Sequence, residues 1–264
     1  EYYAIGEYFD AAEEFKKAYS HTPVKEKAKR GVRAWKMAES YRFIGYSAKA
    51  AGAYQNAVRY KTGGMEAVLR LAQMQHWMGK YNDAIKNYTL YLDSVPSSLE
   101  ALNGLEGCRQ AAVWKKKGSL YSIKKQPILA SRRADYSPAL FGSEWDQLYF
   151  TTTRPQAKGE DASGITGVKM ADIFFSQKDD KGKWSEPEDV SGGVNTAYDE
   201  GACCFSADGR EMFLTQCVTD PSYPRYAQIV KSSRSDAAWG KAAELKLTGD
   251  TLSSYAHPAI SPDG

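Results

Sequence analysis

The chain is poor in groups that do chemistry. Four cysteines and three histidines supply the only thiols and imidazoles in 264 residues. No run approaches the ~18 uninterrupted apolar residues of a membrane-spanning helix, so no transmembrane segment is expected. His21, His76 and His257 fall in three separate stretches, with no carboxylate or cysteine at ligand spacing. That argues against a metal centre built on them. No Gly-x-Ser-x-Gly elbow occurs, and no Walker or dinucleotide glycine pattern. The sequence therefore assigns no catalytic residue, no cofactor and no metal. Cys203 and Cys204 are neighbours pointing opposite ways along one strand. Cys217 falls opposite Tyr198 if the hairpin turns at Ala207-Asp208, and Cys108 lies in the other half. Four cysteines allow three complete pairings, but this spacing favours buried free thiols.

What is present divides in two. Residues 1–127 hold 21 Lys and Arg against 12 Asp and Glu, and residues 128–264 hold 14 against 20. The overall charge of +3 conceals a basic half and an acidic half, which points to two modules rather than one blended core. The chain starts at Glu1-Tyr2-Tyr3 without Met and stops at Ser261-Pro262-Asp263-Gly264, a turn sequence. The expectation is a piece of something longer.

The front half repeats. Residues 6–23 align with residues 79–96: Gly6 with Gly79, Tyr8 with Tyr81, Ala11 with Ala84, Phe15 with Tyr88 and Pro23 with Pro96. Gly45, Ala50, Tyr54 and Ala57 fall in the same frame, 34 residues before the third copy, while the first interval is 39. Five extra residues are expected around Lys25–Arg30. Such a unit reads as two antiparallel helices: glycine turns the chain, alanines let the helices approach, aromatics fill the gap, and proline closes the second helix. The pattern resembles the tetratricopeptide (TPR) repeat, with its period of roughly 34 residues. Tyr2, Tyr41 and Gln75 share one slot of the first helix, and copy one retains little of that helix. Residues 1–114 are thus expected to form three copies plus a capping helix at Leu99–Ala112. The resemblance implies a partner groove lined by Trp35, Glu39, Arg42, Glu66, Leu69, Gln73, His76, Asn103 and Gln110. Residues 115–127 hold five lysines in thirteen positions. Phosphate, lipid headgroups and nucleic acid all suit such a run. With no nucleic-acid motif around it, it reads as a solvated linker.

From Ile128 the helical period stops. Apolar runs 148–153, 172–177, 212–217 and 228–233 predict strands, with turns at Asp180-Lys181-Gly182, Ala207-Asp208-Gly209 and Pro262-Asp263-Gly264. Asp135–Phe141 aligns with Asp199–Phe205 at a shift of 64, and Trp184 with Trp239 at a shift of 55. Each unit supplies about four strands, the content of one propeller blade. The motifs Phe205–Leu214, Asp172-Ile173-Phe174 and Trp184-Ser185-Glu186-Pro187 resemble the WD40-like repeats of TolB-type periplasmic propellers. On that resemblance, residues 128–264 are expected to form a partial β-propeller of two to three blades, closing with residues outside this sequence.

TPR repeats followed by WD40-like blades resemble the Bacteroidota OmpA-family proteins that add an OmpA-like domain, including type IX secretion components. The resemblance implies a non-enzymatic periplasmic scaffold at the outer membrane. Its partners would be envelope or secretion-system proteins, held through the TPR groove and the propeller face. Peptidoglycan would be held by a domain not in this chain, and nucleic acid is not expected. The alternative is a carbohydrate-active propeller with a TPR docking arm. Asp180-Lys181-Gly182-Lys183-Trp184 approximates a sialidase-type turn without its Ser and one residue short. The pairs Asp179/Asp180 and Asp199/Glu200 are carboxylates of the kind glycosidases use, but adjacent residues on a strand face opposite sides. Asp199 and Glu200 are expected instead to brace the turn.

Overall fold

The computed structural model describes residues 1–159, 162–220, 223–236, 238–250 and 253–264. They form two compact units, Glu1–Ile123 with Gly164–Gly167, and Lys124–Ser163 with Val168–Gly264.

The first unit holds a short 3-10 turn at Tyr2–Ile5, then α1 (Tyr8–His21), α2 (Lys27–Phe43), α3 (Ser47–Arg59), α4 (Gly64–Trp77), α5 (Tyr81–Leu92) and α6 (Leu99–Lys117). Each helix packs on the next, an arrangement compatible with a solenoid. The repeat is visible atom by atom at the turns. Gly6, Gly45 and Gly79 have φ of 82°, 73° and 70°. Just after them, Glu7, Tyr46 and Lys80 donate their N–H groups to the carbonyls of Tyr2, Tyr41 and Gln75 at 3.0, 2.9 and 2.9 Å. This is the six-residue bond of a Schellman cap, which needs a left-handed residue. A Cβ would meet nothing at any of the three glycines, so conformation rather than space demands them. One turn later Ala11, Ala50 and Ala84 are buried, letting each second helix lie close to its neighbour.

The five extra residues of the first interval are not one loop. Relative to the second interval, α1 is one residue longer than α3, its connection to α2 is one longer, and α2 is three longer than α4. The extra turn of α2 carries Arg30, which donates to the Thr22 carbonyl at 2.7 Å and the Tyr60 hydroxyl at 3.0 Å. The helix α4 faces two ways: Leu71 and Met74 join a core with Met37, Tyr41 and Tyr54. Leu69 and Ala72 join a second core with Tyr88, Leu105 and Cys108. Gly104 and Gly107 let α6 seat closely, since a Cβ at Gly104 would overlap the Tyr88 ring. α6 runs beyond the expected Ala112 through the first three lysines of the linker.

The second unit contains two sheets. The first is β1 (Asp135–Phe141), β2 (Gln147–Thr152), β3 (Asp172–Gln177) and β4 (Glu188–Asp189). The second is β5 (Asp199–Phe205), β6 (Glu211–Asp220), β7 (Tyr223–Ser233) and β8 (Ala243–Glu244). Both are antiparallel meanders in chain order. Tyr149, Ile173, Val190 and Val194 share one core with Cys203, Met212, Leu214, Val230 and Trp239.

The expected propeller is not what forms. Two small four-stranded sheets are present, neither closed nor arranged as a propeller. The motifs behind that expectation specify a hairpin and a four-stranded meander, which are local features, and closure does not follow from them. The sheets do repeat in detail. Lys178 lies over Trp184 and Arg234 over Trp239, at 4.8 and 4.5 Å from the ring. Gly182, Gly209 and Gly264 all have positive φ at the expected turns.

The alignment of the first strands needs a one-residue correction. Ser137 and Ala202 are the matching left-handed residues, with φ of 48° and 47°, an offset of 65 rather than 64. The Asp208-Gly209 turn is one residue shorter than the Gly142–Asp146 turn, which absorbs the difference. Cys217 accordingly pairs with Asp199, not Tyr198. All four cysteines are free, with Cys108 and Cys203 buried.

Candidate functional site

The first helices α2 and α4, with the capping helix α6, carry the nine residues expected to line a groove. On α2, Glu39 and Arg42 form an ion pair at 2.8 Å, both largely shielded from solvent. The Tyr54 hydroxyl donates to Glu39, and Arg42 Nε donates to that hydroxyl at 3.1 Å. Burial alone would raise the Glu39 carboxyl, but the hydrogen bonds from Arg42 and Tyr54 outweigh it and hold it below its ordinary value. The same burial and the bond to Glu39 push the Tyr54 hydroxyl far up. Trp35 is half-buried, edge-on to Tyr54 at 5.7 Å and seated where Gly63 leaves space. It packs on α3 and on the Gly63 turn that leads into α4, and offers a partner only part of its ring.

On α4 the centre is Arg70, which the TPR frame did not single out. It pairs with Glu66 at 2.7 Å and Glu100 at 3.3 Å, and donates to Gln73 Oε1 at 3.0 Å. Gln73 Nε2 donates to Glu100 at 2.5 Å. The i,i+4 spacing of Glu66 and Arg70 is the signal that marks it. Its positive charge also helps depress Glu39, so residues of α2, α4 and α6 meet in one electrostatic neighbourhood. Leu69 is not part of this surface: it is buried in the α4–α5–α6 core. Hydrophobic spacing puts it inward, one turn from Ala72. His76 is sandwiched edge-on by Tyr81 and Tyr88, at 5.8 and 6.1 Å, and serves packing. Asn103 is exposed, and Gln110 is tied to Glu106 at 2.7 Å. The structure thus joins Glu39, Arg42, Glu66 and Gln73, adds Arg70 and Glu100, and leaves Asn103 free on the surface. Such a face suits a hydrogen-bonding, charged polypeptide.

The acidic residues of the sheet unit do structural work. Asp199 accepts from the Ala171 N–H at 2.7 Å. Glu200, fully buried, accepts from the Thr196 N–H and hydroxyl at 2.9 and 2.5 Å and from Gln216 at 2.9 Å. Asp135 does the same one sheet earlier, accepting from the Ser131 N–H at 2.7 Å and the Thr152 hydroxyl at 2.6 Å. Asp179 receives two N–H bonds from its own turn, from Lys181 and Lys183. These bonds match the bracing role expected of Asp199 and Glu200. Asp172 is different. It is buried, one oxygen accepts from the Lys158 N–H at 2.6 Å, and Oδ1 has no partner. Burial, with Glu200 and Asp189 adding repulsion, pushes its carboxyl up to about 7 despite the Lys158 bond. Among the described residues no group of His, Cys, Asp and Glu is placed to hold a metal ion, and no helix is long and apolar enough to cross a membrane.

The class this geometry defines is an array of helical hairpins followed by two repeated antiparallel sheets. No protein-family model matches the chain, and no curated protein matches it significantly.

Proposed function

We propose that the chain is a non-enzymatic adaptor whose first-helix face, on α2, α4 and α6, holds a polypeptide partner. The observation that carries this reading is the Glu66–Arg70–Gln73–Glu100 network. It gathers charged groups from two helices onto one surface while the hydrophobic positions of the same helices point into the cores. An interaction face on stacked helical hairpins needs such a rigid, hydrogen-bonded surface. The resemblance in repeat order narrows the proposal to a periplasmic, outer-membrane-associated scaffold. Its partners would belong to type IX secretion or related envelope machinery, with peptidoglycan gripped by an OmpA-like domain outside these residues.

The test is affinity capture from native envelopes with the full chain and with Arg70→Glu. Loss of one specific envelope protein from the variant, with folding intact, supports the adaptor. Turnover of a glycoside panel, abolished by substituting a sheet-unit carboxylate, would replace it with a carbohydrate-active reading.

A further inference from the structure

The last turns of α6 and the segment that follows it combine two features usually kept apart on a protein surface. It is strongly basic: between Glu106 and Asp135 there is no acidic residue, while Arg109, Lys115, Lys116, Lys117, Lys124, Lys125, Arg132 and Arg133 all fall there. It is also openly apolar. Trp114 is 62% exposed, Tyr121 83%, Ile123 93%, and Leu120 wholly so. Single exposed apolar residues are ordinary, but large ones concentrated along a short stretch call for a reason. α6 ends at Lys117 and is capped by Gly118, with φ 75°. None of the five lysines in Lys115–Lys125 has an ion-pair partner among the described residues.

We propose that residues 113–125 are a docking surface for an anionic lipid bilayer. Lysine ammonium groups are drawn to acidic headgroups, and each one near such a surface adds to binding. Tryptophan and tyrosine settle at the headgroup boundary, where an apolar ring and a polar edge are both satisfied. Leu120 and Ile123 reach past them into the acyl region, as the apolar side of an interfacial segment does. A folded protein partner would need a complementary pocket for each protruding side chain, whereas a bilayer accepts them without one. A nucleic acid would satisfy the charge but offers Leu120 and Ile123 nothing to enter. This proposal does not depend on the adaptor reading.

The experiment is sedimentation of the full chain with phosphatidylcholine vesicles, with and without phosphatidylglycerol, at low and high salt. The expected result is binding only to the anionic vesicles, weakened by salt. It should fall about tenfold or more when the five lysines become Gln, and comparably in the triple variant Trp114→Ser, Leu120→Ser, Ile123→Ser. Brominated lipid should quench tryptophan emission, and Trp114→Phe should remove that quenching. All these side chains are exposed, so unchanged thermal melting will show the variants are folded. Failure to bind anionic vesicles would overturn the proposal. So would an apolar triple variant that binds as well as the parent. Equal binding to an oligonucleotide, undiminished in that variant, would reassign the segment to nucleic acid.

Discussion

The Ala202 N–H donates to the Thr151 hydroxyl at 3.0 Å, fastening the first strand of the second sheet to the second strand of the first. The bond recurs one unit on, where the His257 N–H donates to the Thr215 hydroxyl at 2.8 Å. Ala202 and His257 both have positive φ, 47° and 57°, and that kink turns the amide toward its acceptor. Replacing Thr151 with Val keeps the shape and leaves the amide without a partner. The expected cost is about 1–3 kcal/mol in urea unfolding of the sheet unit. Thr215→Val, at a less buried position, should cost less.

Two glycines of the helical unit, one at a repeat turn and one within α3, provide a paired contrast. Gly45 is left-handed, with nothing near its missing side chain. Gly45→Ala should therefore destabilise the helical unit by about 1–2 kcal/mol through conformation alone. Gly52, in the middle of α3 with equally open space, should behave oppositely, and Gly52→Ala should stabilise by about 0.5–1 kcal/mol. Thermal unfolding of both variants reads the difference in sign.

Those glycines also show how much was legible in the sequence. The helical repeat was readable because each turn needs a left-handed residue and each close contact needs an alanine, so residue identity reports geometry directly. The β1 and β5 limits were likewise visible in the Asp135–Phe141 and Asp199–Phe205 alignment. The one-residue offset at Ser137 and Ala202 is not, because both strands carry the same bulge and the shortened Asp208-Gly209 turn restores the original shift in the next strand. Ring closure does not follow from motifs that encode a hairpin and a four-stranded meander. In the candidate site, the repeat frame passes over Arg70 and puts the buried Leu69 on the surface. The family frame marks positions on a helix, whereas burial depends on which core each helix face meets.

Close seating of α6 gives a third prediction. A methyl group at Gly104 would overlap the Tyr88 ring, in a core where Tyr88 and Leu105 are buried. Gly104→Ala should cost about 1–3 kcal/mol, the usual range for overpacking. Amide exchange should speed up selectively in α6.

Asp172 predicts a pH dependence with a definite sign. Its carboxyl is raised to about 7 in the fold, above its ordinary value near 3.9. The folded state therefore holds this proton more tightly than the unfolded chain does. Below the ordinary value both forms are protonated and there is no penalty. Between that value and about 7, stability falls as pH rises, by up to about 1.4 kcal/mol per pH unit. Glu200, Asp189 and Lys158 face the same group, so the comparison should be made against Asp172→Asn. The variant should lose this slope, measured as exchange of the Lys158 amide between pH 4.5 and 7.5, a range bracketing most of the window.

The face formed by α2, α4 and α6 carries the proposed partner. A photo-crosslinking residue placed singly at Gln73 or Asn103 samples that face, and one at Gln55 or Lys86 samples exposed positions on α3 and α5. In native envelopes Gln73 and Asn103 are expected to yield adducts with the same envelope protein, while Gln55 and Lys86 yield none. Adducts from all four positions alike, or from none, would contradict that expectation.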